Sequence, residues 1–187
     1  MGDQLLPLPL TERTVHLCVD MQRIFSAEGP WPTPWMDRVL PVVAALANRH
    51  PERTVFTRFI PPERPDQMPG MWRRYYRRWR LATRECLDLR LLGLMPPLAA
   101  LCPPATVIDK TRYSALAEPG LAEHLRQREA DALIVSGSRP MFVCWQRCWM
   151  RSIWATASSL FATRCAARLT KVTTCSCGSI TPAIRNR

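Results

Sequence analysis

The last 49 of the 187 residues contain no aspartate or glutamate. All 15 acidic residues lie at or before Asp131, whereas this tail carries 8 of the 26 basic residues, 5 of the 8 cysteines and 3 of the 7 tryptophans. It supplies +8 of the formal +11 charge and leaves +3 for residues 1–138. Soluble domains mix both signs of charge, so the missing acids exclude an ordinary domain surface for residues 139–187, and the chemistry of the chain breaks at Ser138. Other absences narrow the class. No uncharged apolar run reaches the roughly 18 residues of a membrane span. Residues 1–10 lack a basic segment ahead of a long apolar stretch, which argues against a secretory signal. Position 6 lacks the Ser or Thr of a myristoylation site. Internal repeats are absent. Cys175 and Cys177 have no second ligand pair at zinc spacing, and His16, His50 and His124 are isolated. Cys18, Cys86 and Cys102 are widely spaced and read as free thiols of a reducing compartment, so a cytoplasmic location is expected.

What is present, up to Ser138, is an alternation of strands and helices. The length suits one domain with a sizeable core. Residues 14–20, 54–60, 106–110 and 132–137 are short and apolar on both faces, as buried parallel strands are. Val39, Val42, Val43 and Leu46 share one face of a helix between the first two strands. Residues 121–130 form another, after Pro119-Gly120. This order predicts an α/β fold with a parallel sheet wrapped by helices. The Pro-rich stretches 61–69 and 96–104 read as loops. In open α/β sheets, ligands bind beyond the carboxyl ends of the strands. Asp20 closes the first strand and Lys110 the third. Each alone has the plainer reading of a solvated loop residue, and a shared site needs a third group near residues 139–144.

Four motifs carry a family resemblance. Val15-His16-Leu17-Cys18-Val19-Asp20-Met21-Gln22 resembles the first strand of the isochorismatase-like cysteine hydrolases. Residues 55–58 (Val-Phe-Thr-Arg) resemble their second strand, residues 107–116 their lysine motif, and residues 133–137 the strand entering their nucleophile loop. The resemblance covers residues 14–138. It implies a Rossmann-like, three-layer α/β/α domain, complete through four strands with its C-terminal part compromised: a hydrolase core at 1–138 and an aberrant basic tail at 139–187 replacing the rest of the same domain.

The genetic code accounts for the break. After Ser-Gly-Ser the family continues approximately Glu-Thr-Asp-Val-Cys-Val-Leu-Ala, whereas this chain reads Arg139-Pro140-Met141-Phe142-Val143-Cys144-Trp145-Gln146. If one base is lost near codon 139, the message is reread one base earlier. Met and Trp have single codons, so the pairs Met141–Phe142, Cys144–Trp145 and Trp145–Gln146 force valine at 142, leucine at 145 and alanine at 146. Cys148–Trp149, Trp149–Met150 and Trp154–Ala155 force leucine at 149, aspartate at 150 and glycine at 155. The family pattern has those residues at all six places. With a chance of roughly one in ten each, the coincidence is about one in a million. Free codons also permit the family's cysteine where Val143 stands, and a fifth strand at 156–161, where the given residues make a poor buried strand. A frameshift is the preferred reading of the tail.

The resemblance implies a catalytic triad of Asp20, Lys110 and a cysteine. A free thiol is mostly protonated at neutral pH and needs a base and a cation to act. Asp20 would take the thiol proton, Lys110 would stabilise the thiolate, and helix N-terminal N–H groups would support an oxyanion. Cys144 is the candidate nucleophile, one residue beyond the expected position. That offset turns a side chain by about 100° and shifts it by about 1.5 Å, so an accidental cysteine is an equal reading. The substrate would be a small amide or related carbonyl compound. No cofactor is implied. The paired His by which nicotinamidases of the family, with an Asp, hold a metal are lacking between Phe59 and Gly70, so no metal is implied either. Three alternatives stay open: a non-catalytic remnant of the fold, vinyl ether hydrolysis of the isochorismate type, and a basic nucleic-acid-binding protein. The last rests on residues 71–80, where aromatics interleave with arginines. The helical spacing of Trp72, Tyr75 or Tyr76 and Trp79 favours an amphipathic segment with a solvated basic face, and nucleic acid is the disfavoured partner. Arginines there that draw in an acidic substrate are a middle reading. Homo-oligomerisation stays open.

Overall fold

The computed structural model describes residues 11–137, together with the backbone of 160–163 and 173–174. Strands β1 (Thr14–Val19), β2 (Thr54–Phe59), β3 (Thr106–Lys110) and β4 (Ala132–Gly137) form where the apolar runs were expected. With β5 (Leu160–Thr163) and β6 (Thr173–Thr174) they make one sheet in the order β3-β2-β1-β4-β5-β6. Pairing is parallel from β3 through β5 and antiparallel between β5 and β6. All six residues of β1 are buried. A central strand covered on both faces has no polar side to show, which is why its sequence does not alternate.

Two apolar layers sandwich the sheet. On one face Cys18 and Phe56 pack under α1 (Met36–Arg49), α2 (Gly70–Arg78) and α3 (Pro96–Ala99) with Trp31, Tyr76 and Leu98. On the other, Val15, Leu17, Val19, Val55, Leu133 and Val135 pack with Leu121 of α4 (Pro119–Gln127). This is the three-layer α/β/α arrangement. The chain passes outward from β1 to β2 and β3 and returns to the other side for β4. Strand order therefore reverses at β1, where crevices open at the carboxyl edge of such sheets.

The structure differs from the sequence reading in several elements, among them α4, which starts at Pro119 and ends at Gln127 where a helix was expected over 121–130. α1 buries Met36, Val39, Val43 and Ala47, while Val42 and Leu46 are half-buried. The small Ala47 lets the helix sit close to the sheet, and its apolar stripe is wide enough to leave Leu46 at the margin. The Pro-rich stretch 96–104 opens with the short helix α3, whose first two positions are prolines; Pro suits the first turn of a helix because its missing N–H has no partner there in any case. Finally, β5 runs parallel to β4 at residues 160–163, in register from Ala132 opposite Leu160 to Val135 opposite Thr163. The sheet thus continues past the fourth strand, overlapping the segment expected to be a poor strand.

Candidate active site

β1 ends as its chain turns sharply at Asp20, whose φ of 56° lies in the left-handed region that Asp tolerates better than most side chains. Its N–H still donates to the Thr57 carbonyl, at 3.2 Å, so Asp20 stays tied to β2. Lys110, the last residue of β3, is 2% exposed and Asp20 is 8% exposed. Lys110 Nζ lies 2.9 Å from Asp20 Oδ2. It also donates to the carbonyls of Arg112 and Tyr113, each at 3.2 Å, so all three ammonium donors are used. The Phe59 ring lies 5.2 Å from the same nitrogen, close enough for a cation–π contact. Asp20 Oδ1 accepts from Thr57 Oγ1 at 3.2 Å. The pair therefore bridges the end of β2, and two opposite charges at the carboxyl edge of the sheet are buried, paired and hydrogen-bonded, as buried charges must be.

Gln22 builds the floor of this edge and was not singled out as a site residue. It is fully buried. Its side-chain oxygen accepts from the Phe59 N–H at 2.6 Å, and its Nε2 donates to the carbonyls of Phe59 and Leu92 at 3.1 and 2.8 Å. Where β1 has already ended, this amide acts as a surrogate peptide group for β2. Thr57, Phe59 and Tyr113 were also missed. Their roles follow from strand register, and the only prior signal was the place of Gln22 two residues after Asp20.

The thiols divide sharply. Cys18 lies on β1, fully buried, and burial pushes its pKa up to about 12, with the Ser136 hydroxyl partly offsetting and the Asp20 charge adding to the rise. It is inert as a nucleophile at neutral pH. Cys86 is exposed in a loop and Cys102 is half-buried. Val143 and Cys144 lie outside the described residues. The last described residue before them is Gly137, paired with Val19 at the end of β4. Its φ is 147°, and a Cβ there would stand 2.1 Å from the Val19 carbonyl oxygen. Only glycine permits this approach, and it brings the end of β4 against the residue that precedes Asp20.

Among the described residues, no three His, Cys, Asp or Glu side chains converge on a common point. The described cavities, of about 200 Å³, lie at the opposite, amino-terminal edge, beside Thr14, His50 and Arg53. No described helix is long and apolar enough to cross a membrane. In the segment 71–80, Tyr76 alone is buried, and Trp72, Tyr75 and Trp79 remain 38–44% exposed. The expected amphipathic helix is present, but its aromatic face is only partly covered.

The isochorismatase domain model matches residues 14–139, from the start of β1 to just beyond β4. A comparison with curated proteins finds no match. Among solved structures, a cysteine hydrolase from Pseudomonas syringae pv. phaseolicola 1448A is similar with a TM-score of 0.64, 22% identity, and coverage of 87% of this chain and 76% of that one. A pyrazinamidase of Pyrococcus horikoshii in complex with zinc gives 0.50, 21%, 67% and 70%. An isochorismatase-like hydrolase from Alkaliphilus metalliredigens gives 0.55, 15%, 82% and 82%. At these identities the structures speak for the fold alone. The family match spans both Asp20 and Lys110 and covers most of the chain, and on that ground this protein belongs to the isochorismatase family of hydrolases.

Proposed function

We propose that the fold serves a cysteine hydrolase of small amides or related carbonyl compounds, acting through Asp20, Lys110 and a thiol carried by the loop after β4, and that this chain is impaired because its reading frame slips near codon 139. The observation that carries the proposal is the buried contact of 2.9 Å between Lys110 and Asp20 at the carboxyl edge of the sheet. A solvated pair of strand-end residues would not be sunk to 2% and 8% exposure. Burying an ion pair is rarely worth its desolvation for stability alone, and this one lies at the carboxyl edge of the sheet, where such folds bind ligands.

The chemistry runs in two steps. Asp20 takes the thiol proton, and the thiolate attacks the carbonyl carbon while Lys110 offsets the negative charge. The amine leaves with the proton held by Asp20, and a thioester remains. Water then adds to the thioester, giving its proton back through Asp20 to the sulfur, and the acid is released. Gly137 supports this reading, because its close approach sets the end of β4 against Val19, the residue before Asp20. The family match stops at residue 139, where the codon argument places the slip. A zinc like that of the pyrazinamidase does not fit the described residues, which offer no cluster of ligands, so no step passes through a metal.

The test inserts one base near codon 139 and assays both chains against a panel of small amides and against isochorismate. The repaired chain is expected to be active, and the chain as written to be slower by several orders of magnitude, about the scale of losing a nucleophile. In the repaired chain, alanine in place of the cysteine restored at position 143 should abolish activity. Equal activity in the two chains, lost from the unrepaired one on Cys144→Ala, would overturn the frameshift and make Cys144 the nucleophile. Inactivity of both would favour the non-catalytic remnant.

A further inference from the structure

One buried titratable side chain takes no part in the chemistry above. His16 lies in the middle of β1, on the face shared by Thr14 and Cys18, while Val15, Leu17 and Val19 face the other layer. It joins three strands. Thr54 stands directly opposite it on β2, and Ser136 stands opposite Cys18 on β4, two residues further on. The two ring nitrogens divide these partners by reach. Nδ1, near the backbone, meets Thr54 Oγ1 at 3.3 Å, and Nε2, at the far end of the ring, meets Ser136 Oγ at 2.7 Å. A directly opposite neighbour lies about 4.8 Å away across a sheet and a diagonal one about 8 Å, so neither nitrogen can take the other's partner. The Ser136–His16 contact has the look of a nucleophile and its base. Both residues are buried, however, and the cavity that His16 lines is not lined by Ser136, which leaves that hydroxyl out of reach of a substrate.

The apolar contacts leave the register of β4 open. Val15, Leu17 and Val19 of β1 meet Leu133 and Val135 of β4, and a slide by two residues exchanges one apolar contact for another on the same face. Gly137 permits the close approach to Val19 but does not compel it. The bonds of His16 do count residues. Slid one way, Ser136 comes directly opposite His16, too close for Nε2. Slid the other way, it stands four residues along, about 13 Å off and beyond reach. Either slide would move Gly137 by about 6.6 Å relative to Val19 and Asp20, and a misplacement of about 1 Å is enough to slow a reaction. Buried polar networks can usually be replaced by apolar groups at no cost in stability, so stability alone does not account for this one. We propose that His16, bridging Thr54 and Ser136, is a positioning residue that sets the register of β4 against β1 and β2 and thereby keeps the end of β4 beside Asp20. The register stands without the hydrolase reading, and only its effect on turnover rests on that reading.

Disulfide trapping in the full chain tests it. Val135→Cys is combined in turn with Val15→Cys, Leu17→Cys and Val19→Cys, the chains are refolded under oxidation, and the bridges are identified by peptide mass mapping. Leu17 is the residue opposite Val135. Val15 and Val19 lie a diagonal away, beyond the roughly 7 Å between Cα atoms that a disulfide spans. With His16, Thr54 and Ser136 in place, only Leu17→Cys should bridge to Val135→Cys. The triple variant His16→Leu/Thr54→Val/Ser136→Ala leaves no polar partner orphaned. In it the yield of at least one diagonal bridge should rise by about tenfold, while the melting temperature stays at or above that of the parent. Thr54→Ser, which keeps the hydroxyl, should trap as the parent does. In the chain repaired at codon 139, the triple variant should lower kcat in proportion to the slipped fraction and leave KM within about twofold, because only molecules in the native register turn over. A triple variant that still bridges only through Leu17→Cys would overturn the proposal. So would one that melts well below the parent, which would make the network a source of stability instead. Diagonal bridges confined to the triple variant, alongside a repaired parent chain without activity, would keep the register role and reject the hydrolase reading.

Discussion

His16 is buried in β1 with both ring nitrogens engaged, Nδ1 with Thr54 Oγ1 at 3.3 Å and Nε2 with Ser136 Oγ at 2.7 Å. Thr54 gives its own hydroxyl proton to the His50 carbonyl, so it accepts from Nδ1–H, and Nε2 accepts from Ser136. That network holds the neutral ring, and burial lowers the pKa to about 4. Unfolded histidine titrates near 6.5, so this contribution to stability is complete above that pH and is lost as pH falls toward 4. The loss should total roughly 3 kcal/mol. Unfolding by urea between pH 7 and 5 should show it, and His16→Gln should remove most of the slope; an unchanged slope would remove His16 from the account. Lys110 and Asp20 make a second prediction at this scale. Lys110→Met removes the cation 2.9 Å from the buried Asp20 carboxylate and should cost about 3–5 kcal/mol. Adding Asp20→Asn should recover part of that cost, and additive losses in the double variant would mean that the two charges do not act as a pair. Both residues were legible as strand-end charges. Thr57, Gln22, Phe59 and Tyr113 were not, because each contributes only once three strands distant in sequence are in register.

Strands were the most legible elements. Each of β1 to β4 is a run too short for a helix, and burial on both faces removes the alternation from β1, whereas the edge strand β3 buries only Lys110. Helix faces were read less well. Periodicity ranks residues by apolarity, whereas α1 buries Ala47 completely and leaves the larger Leu46 half-covered, a choice made by the fit against the sheet. β5 lay beyond composition altogether, since its four residues are held by pairing with β4. Two glycines separate conformation from space. At Gly137 an added Cβ meets main chain that cannot move aside, so Gly137→Ala should destabilise the protein by about 3 kcal/mol or more. Gly120, in α4, has only the Ile108 side chain at 3.9 Å, and Gly120→Ala should be neutral or stabilising by up to about 1 kcal/mol. Thermal melting of the two variants side by side checks both, and equal shifts would remove the special status of Gly137.

At the scale of the whole molecule, the strand order has a consequence in time. The ribosome delivers β1 first, then β2, then β3, each docking beside the one before it, and only afterwards turns to the other flank with β4. Domains tend to fold from the N-terminal side as they are made, at about 5–20 residues per second. Half the sheet, including both partners of the Asp20–Lys110 contact, is therefore encoded before codon 139 is read. We predict that arrested nascent chains carrying Asp20→Cys and Lys110→Cys become crosslinkable once β3 has left the exit tunnel, with or without the downstream residues. Crosslinking that waited for β4 would show instead that the first three strands cannot assemble alone. With early assembly, the residues that follow β4 have no say in the part already made. The nascent polypeptide commits to half of its architecture before the other half has been read.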